Sequence, residues 1–296
     1  MPYCSKCGAE LDKDTKFCPK CGTTVGSPAA KPERRIKREQ RRPMSTLTIV
    51  LIILLVVVVV VAAVVAAVLL GFWRPFGHVV GSGNLVTQEF DLNDFTTVNV
   101  GSGFEVEITQ SSSFSISITA DDNMFDYIEV FKTSEKLTIR LKWGYSYEST
   151  KARDRPTKIT MPELYELELS GGTHGTIEGF SSSHEFVLEL SGGSSLIGDF
   201  TTSGDAQLTL SGGSHLIELE GAANDLHVSA SSGSHLELSD FRVNDANVNL
   251  SGGSHATINL EGRLDADLSG GSHLAYIGDP TMGDIQTSGG STVGEK

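Results

Sequence analysis

The sequence predicts a mainly β protein: an extracytoplasmic parallel β-solenoid (β-helix) with repeats of about 20 residues, one transmembrane α-helix, and a small metal-organised module at the N-terminus. Three observations predict it. A Ser-Gly-Gly-Ser-His-like phrase recurs seven times between Ser170 and Thr292, at intervals of 18 to 21 residues. Residues 47–70 form a run of 24 residues without a charge. All four cysteines, Cys4, Cys7, Cys18 and Cys21, fall within the first 21 positions of a 296-residue chain. Charge divides the chain in the same way. Residues 1–46 hold eleven Lys/Arg against five Asp/Glu, whereas residues 47–296 hold twelve against thirty-two. Opposed halves of this kind sit in different surroundings. The acidic majority repels phosphate and excludes a general nucleic-acid binder for the bulk of the chain. The 32 glycines follow no three-residue period, which excludes collagen.

The cysteines are spaced C-x2-C-x10-C-x2-C, two knuckles that place four thiolates around one ion. Gly8 and Gly22 follow the second cysteine of each pair and let the backbone turn tightly at the metal. Iron is the chemical alternative, since Cys18-Pro19-Lys20-Cys21-Gly22 resembles a rubredoxin knuckle. Ten residues between the pairs leave little room for an aromatic core of that kind, so zinc is expected. A module of roughly 25 residues cannot bury a core unaided, so the metal must supply its folding free energy. Four protein ligands close the site, making it structural rather than catalytic. The stretch YCSKCGAELDKDTKFCPKCGTTV, residues 3–25, resembles the zinc-ribbon modules at the N-termini of many prokaryotic membrane proteins. That resemblance implies a four-cysteine zinc site within a ribbon spanning residues 1–25.

Residues 26–46 form a basic juxtamembrane linker, with seven Lys/Arg in KPERRIKREQRRP at 31–43. The apolar run Leu47–Leu70 then predicts a transmembrane helix of about 36 Å, long enough for a hydrocarbon core of roughly 30 Å. A signal peptide fits badly, because its apolar part would be shorter and nearer the N-terminus. Lipid forces internal hydrogen bonding and overrides the poor helix preference of valine. Only Arg74 follows the span closely, so the positive-inside rule places residues 1–46 in the cytoplasm and the remainder outside. This predicts a single-pass protein of the cell membrane. Residues 71–88 read as an outer linker, with Phe72 and Trp73 at the interface.

The outer portion is set by its repeat. The phrases begin at Ser170, Ser191, Ser211, Ser231, Ser251, Ser269 and Ser288. Small or apolar residues two apart precede each one, as in Leu167/Leu169, Leu208/Leu210 and Val248/Leu250, and this alternation marks a strand with one buried face. A second short apolar stretch follows the first six phrases. A unit of two or three such strands cannot bury its own apolar face. Stacked coils align equivalent leucines into columns, with strands in parallel about 4.8 Å apart. Residues 89–142 lack the phrase but alternate, and read as the first, less regular coils of a domain spanning 89–296. Trp143 to Pro156 reads as a surface loop.

Three stretches, FTTVNVGSGFEVEITQ at 95–110, ADDNMFDYIEV at 120–130 and KITMPELYELELSGG at 158–172, are similar to the head GIN domain family, also called auto-transporter adhesins. The resemblance covers roughly residues 89–293 and implies a β-solenoid outside the membrane, often joined to a membrane anchor.

Catalysis is not expected. Carbohydrate-active β-helices cluster carboxylates in a groove, whereas here Glu105/Glu107 and Glu166/Glu168 alternate with apolar residues as a solvated face should. The expected role is binding, adhesion or scaffolding toward a cell-surface or glycan ligand. The alternatives are a membrane-tethered regulator, whose ribbon and basic linker contact nucleic acid or a cytoplasmic partner, and a carbohydrate-active β-helix. Nucleic acid is the less expected partner. The short tail after Ser288-Gly-Gly-Ser-Thr292 leaves the last coil's strand edges open to self-association. Finally, His174, His215, His235, His255 and His273 share one place in the repeat, where coils two and seven carry Ser195 and Thr292. In register these form a ladder, either a polar corner or a transition-metal site.

Overall fold

The computed structural model describes residues 3–12, 15–24, 77–148 and 156–296. It divides into two compact units, Met1–Phe72 and Trp73–Lys296. The basic linker and the expected transmembrane helix at 47–70 lie outside the described residues. Among those described, no helix is long and apolar enough to cross a membrane.

The first unit is two copies of one knuckle. The Cys4 amide donates to Ala9 O at 2.8 Å and the Gly8 amide to Cys4 O at 2.9 Å; Cys18 to Thr23 and Gly22 to Cys18 repeat both bonds at the same lengths. Gly8 and Gly22 share φ +67°, a left-handed conformation that explains glycine at both places. Single antiparallel bridges, Tyr3 to Glu10 and Phe17 to Thr24, tie the knuckle ends. Among the described residues of this unit, the buried interior is Cys4, Leu11 and Cys18 with Ala9 against them.

The second unit is a solenoid of two sheets, with two strands per coil. Seven coils alternate between them: Glu166–Leu169 and His174–Ser182, Phe186–Leu190 and Ser195–Thr202, Ala206–Leu210 and His215–Ala222, Leu226–Ala230 and His235–Val243, Ala246–Leu250 and His255–Leu260, Arg263–Leu268 and His273–Ile277, Thr281–Thr287 and Thr292–Glu295. The first member of each pair lies in a ten-stranded sheet and the second in an eleven-stranded sheet. Each strand pairs in parallel with its equivalent in the next coil, for example Leu188 with Leu208 and Leu208 with Val228. The inward residues therefore stack as columns. Leu169, Leu190, Leu210, Ala230, Leu250 and Leu268 form one of them, each at most 2% exposed. This is how a 20-residue unit with no core of its own becomes stable.

The repeated phrase is the corner between the sheets. In Ser211-Gly212-Gly213-Ser214 both glycines have positive φ, +66° and +72°, the paired left-handed conformation of a type I′ turn. The two glycines are constrained differently. A Cβ on Gly212 would stand 3.0 Å from the Gly192 amide of the preceding coil, whereas one on Gly213 would meet nothing within 4 Å. The buried Ser214 hydroxyl closes the turn by donating to Ser211 O at 2.7 Å, and Thr173, Ser194, Ser234, Ser254 and Ser272 do the same in their coils. Each side-chain bond satisfies a polar group that would otherwise be costly to bury.

The N-terminal part departs from regular coils. Thr97–Val100 and Glu105–Gln110 do form a coil below Glu166–Leu169 and His174–Ser182, with Gly101-Ser102-Gly103-Phe104 as its corner. Residues 115–133, expected to coil, instead form a cap, whereas Lys136–Leu141 continues the stack in parallel beside Thr97–Val100. Ser134, at φ +55°, and Glu135 turn Ile128–Thr133 back antiparallel onto Lys136–Leu141. Leu85–Glu89 and Thr157–Met161 flank Ser115–Asp121, both antiparallel to it. Antiparallel strands cannot continue the parallel stack, so they finish it. Among the described residues the first strand of this unit is Gly77–Val80, inside the expected linker. Gly77–Val80 pairs in parallel with Tyr145–Glu148, inside the expected surface loop. Aromatic packing explains that strand: Tyr145 lies against Tyr127 at 4.7 Å, and the Tyr147 hydroxyl donates to the buried Asp121 carboxylate.

Candidate metal centre and histidine column

The two knuckles bring Cys4, Cys7, Cys18 and Cys21 together, with all four Sγ atoms within 4.8 Å of one another. Cys4 and Cys21 lie 3.7 Å apart, and Cys7 and Cys18 3.6 Å. Both distances are far beyond the roughly 2.05 Å of a disulfide. They match the sulfur–sulfur edge of about 3.8 Å in a tetrahedron with Zn–S bonds near 2.3 Å. The donor set therefore fits zinc in both chemistry and spacing. Without metal the thiols differ sharply. The Thr23 hydroxyl and amide hold Cys21 down to about 6. Cys7 receives the Ala9 amide, which lowers it, but the sulfurs of Cys21 and Cys18 together with burial push it up to about 12. Four uncompensated thiolates cannot coexist at this spacing, and a divalent cation relieves the conflict.

The histidine column runs along the eleven-stranded sheet beside the corners. The order is Glu105, His174, Ser195, His215, His235, His255, His273 and Thr292. From His215 to His273 the column is unbroken, with ring centres 5.2, 4.9 and 4.9 Å apart. Backbone bonds fix this spacing: the His235 amide donates to Ser214 O at 3.0 Å, and His215, His255 and His273 repeat the contact at 2.9 Å. His174 stands apart, with Nδ1 2.7 Å from the Ser195 hydroxyl, and His273 Nδ1 meets the Thr292 hydroxyl at the same distance. Glu105 heads the column, a place the sequence did not reveal, since it read only as part of a solvated strand face. The signal was present in Gly101-Ser102-Gly103-Phe104, an eighth corner lacking the leading serine.

His235 has its pKa lowered, first by burial and then by the charges of His215 and His255. Folding thus favours its neutral form. The stability this contributes is complete above the unfolded value near 6.5 and is lost as pH falls through the lower folded value. Proton NMR titration should place His235 below 6.5, and a value at or above 6.5 would contradict the assignment.

Beside the column lie two shallow depressions. One, of about 360 Å³, is bordered by the four stacked histidines, Ile217, Glu237 and Thr257. The other, of about 550 Å³, is bordered by Glu105, Glu107, His174, Glu178 and Ile197, and the two meet at Ile217. On the opposite sheet Glu166 and Glu168 are more than a solvated face. Lys136 and Asn99 both bond Glu168. Burial and the neighbouring Glu168 raise the pKa of Glu166.

The architecture is thus a parallel two-strand β-solenoid with Gly-Gly corners, together with a separate four-thiolate module. Residues 94–280, more than half of the chain, match the family described as "Putative auto-transporter adhesin, head GIN domain", and the chain belongs to that family. Residues 3–25 match a zinc-ribbon domain. Solved structures share the solenoid fold. A protein titled a putative adhesin from Bacteroides fragilis is 20% identical with a TM-score of 0.64, covering 74% of this chain and 100% of its own. A second putative adhesin, from Parabacteroides merdae, is 22% identical with a TM-score of 0.57, covering 74% of this chain and 99% of its own. A protein titled a putative lipid binding protein from Parabacteroides distasonis is 18% identical with a TM-score of 0.56, again covering 74% and 99%. No curated protein matches the chain.

Proposed function

We propose that the chain displays its solenoid outside the cell as a non-catalytic binding or adhesive module, anchored by residues 47–70, with a structural zinc ribbon at 1–25 in the cytoplasm. Cys4, Cys7, Cys18 and Cys21 hold the zinc. The observation that carries the binding role is the long exposed face of the eleven-stranded sheet. There two adjoining depressions follow successive coils and mix imidazole, carboxylate and the exposed side chains of Ile197 and Ile217. Such a face suits an extended ligand better than a small molecule needing enclosure. The adhesin titles of two structural relatives agree with this reading, and the lipid-binding title of a third bears equally on a surface ligand.

Cells expressing the full chain test both location and role. Protease added outside should remove the solenoid and spare the ribbon, and the opposite pattern would reverse the topology. Cells carrying the full chain should adhere to neighbouring cells or a glycan-coated surface more than cells carrying residues 1–76. Equal adherence, or cleavage of the glycan, would overturn the binding role.

A further inference from the structure

We propose that His215, His235, His255 and His273 form a site for divalent transition-metal ions, bound between neighbouring imidazoles on the outer face of the solenoid. The geometry comes from the repeat itself. Parallel pairing places the four residues opposite one another in consecutive coils, and their ring centres follow at 5.2, 4.9 and 4.9 Å. An ion held at about 2.0–2.1 Å from each of two ring nitrogens spans nitrogens up to about 4.2 Å apart. Rotation of exposed rings at the observed spacing brings neighbouring nitrogens within that reach.

The scaffold beneath the rings is rigid. Ser214, Ser234, Ser254 and Ser272, the residues just before each histidine, are buried and tied into the corner turns, so the backbone positions do not drift. His215, His235 and His255 contact one another and make no side-chain hydrogen bond among the described residues. The nitrogens that a ligand would use are therefore not already occupied, except where His273 meets Thr292.

Chemistry selects the ion class. Neutral imidazole suits Zn²⁺, Cu²⁺ and Ni²⁺, whereas Mg²⁺ and Ca²⁺ prefer oxygen. Neighbouring pairs supply two nitrogens per ion, leaving the remaining positions to water or to a donor on a partner. Binding is consequently exchangeable, unlike at the closed four-cysteine centre. The acidic solenoid draws cations toward this face. His174 falls outside the site, because Ser195 interrupts the column and holds its Nδ1.

The test uses the full chain in detergent, without a polyhistidine tag and with the ribbon first saturated with zinc. Nickel chloride is titrated by calorimetry, and ligand-field absorption reports its coordination. Wild type should take up Ni²⁺ with a nitrogen-donor spectrum, and His174→Ala should do so equally. Replacing His235 and His255 together by glutamine leaves no adjacent pair and should abolish the uptake. Glutamine is polar and fits a strand, and circular dichroism verifies that this variant keeps its fold. Absence of Ni²⁺ uptake in wild type, or unchanged uptake in the folded double variant, would overturn the site.

Discussion

Removing zinc from the full chain with a chelator, or replacing Cys18 by serine, is expected to unfold residues 3–24 completely while leaving the melting of the solenoid unchanged. The magnitudes make this the largest effect in the molecule. The ribbon's interior is Cys4, Leu11 and Cys18 with Ala9 beside them. Burial of one leucine contributes about 1.5–3 kcal/mol, far less than ordering some twenty residues costs. Zinc binding to such modules contributes about 10–16 kcal/mol at neutral pH, enough to reverse the balance. Cys18 is the informative choice because it is both a proposed ligand and 1% exposed, and its amide and carbonyl hold the second knuckle together. Amide NMR should show the ribbon's dispersed resonances collapse with loss of one zinc per chain. Persisting dispersion after chelation would show that the peptide folds unaided. Independence of the solenoid is expected because, among the described residues, its main core cluster is drawn from residues 90–293.

Where the repeat governs the fold, the sequence was a sufficient guide. Leu208 and Leu210 stand two apart before Ser211-Gly212-Gly213-Ser214, and this local pattern states a strand, a buried face and a left-handed corner. Periodicity then states what each coil meets, since the next coil is nearly the same. The histidine column was readable for the same reason. The cap was not, because its order comes from contacts between stretches that do not resemble each other. Ser115–Asp121 alternates like a coil strand, yet it is sandwiched antiparallel between Leu85–Glu89 and Thr157–Met161. Alternation marks a strand with one buried face and is silent on the direction of its neighbour. Tyr145–Glu148 was hidden by polar surroundings, although its two tyrosines both find partners in the cap. The corner at Gly101 escaped notice because three of its four positions depart from the phrase: Gly101 replaces the leading serine, Ser102 at φ +74° the first glycine, and Phe104 the closing serine. In the ribbon the spacing of four cysteines was enough to foresee that their sulfurs gather at one point, within 4.8 Å of one another.

Gly221→Ala is expected to destabilise the solenoid far more than Gly213→Ala, although both glycines have positive φ, +126° and +72°. At Gly213 an added methyl would enter open space, so the change costs only the left-handed conformation, about 1–2 kcal/mol. At Gly221 the methyl would run into the carbonyl oxygen of Phe200, with the carbonyl carbon only 2.8 Å away. That carbonyl is backbone and cannot swing aside. Gly221 is the register partner of Phe200 in one neighbouring coil and of Phe241 in the other, so relief would require both pairings to shift. Phe200 in turn stacks on Phe186 with ring centres 3.9 Å apart, and moving it would open the core. Conformation and overpacking together predict a loss of about 2–5 kcal/mol. For a domain of this size the melting midpoint should fall by roughly 5–15 °C. Because coils interact only with their neighbours, the damage should begin between the Ser195–Thr202 and His215–Ala222 strands and spread toward the Thr281–Thr287 and Thr292–Glu295 coil, which no antiparallel strand covers among the described residues. Hydrogen exchange should therefore show protection lost first from residues 206–222 and retained longest beside the cap. Equal losses for the two variants, or an even loss along the stack, would mean that the coils yield more readily than their packing implies.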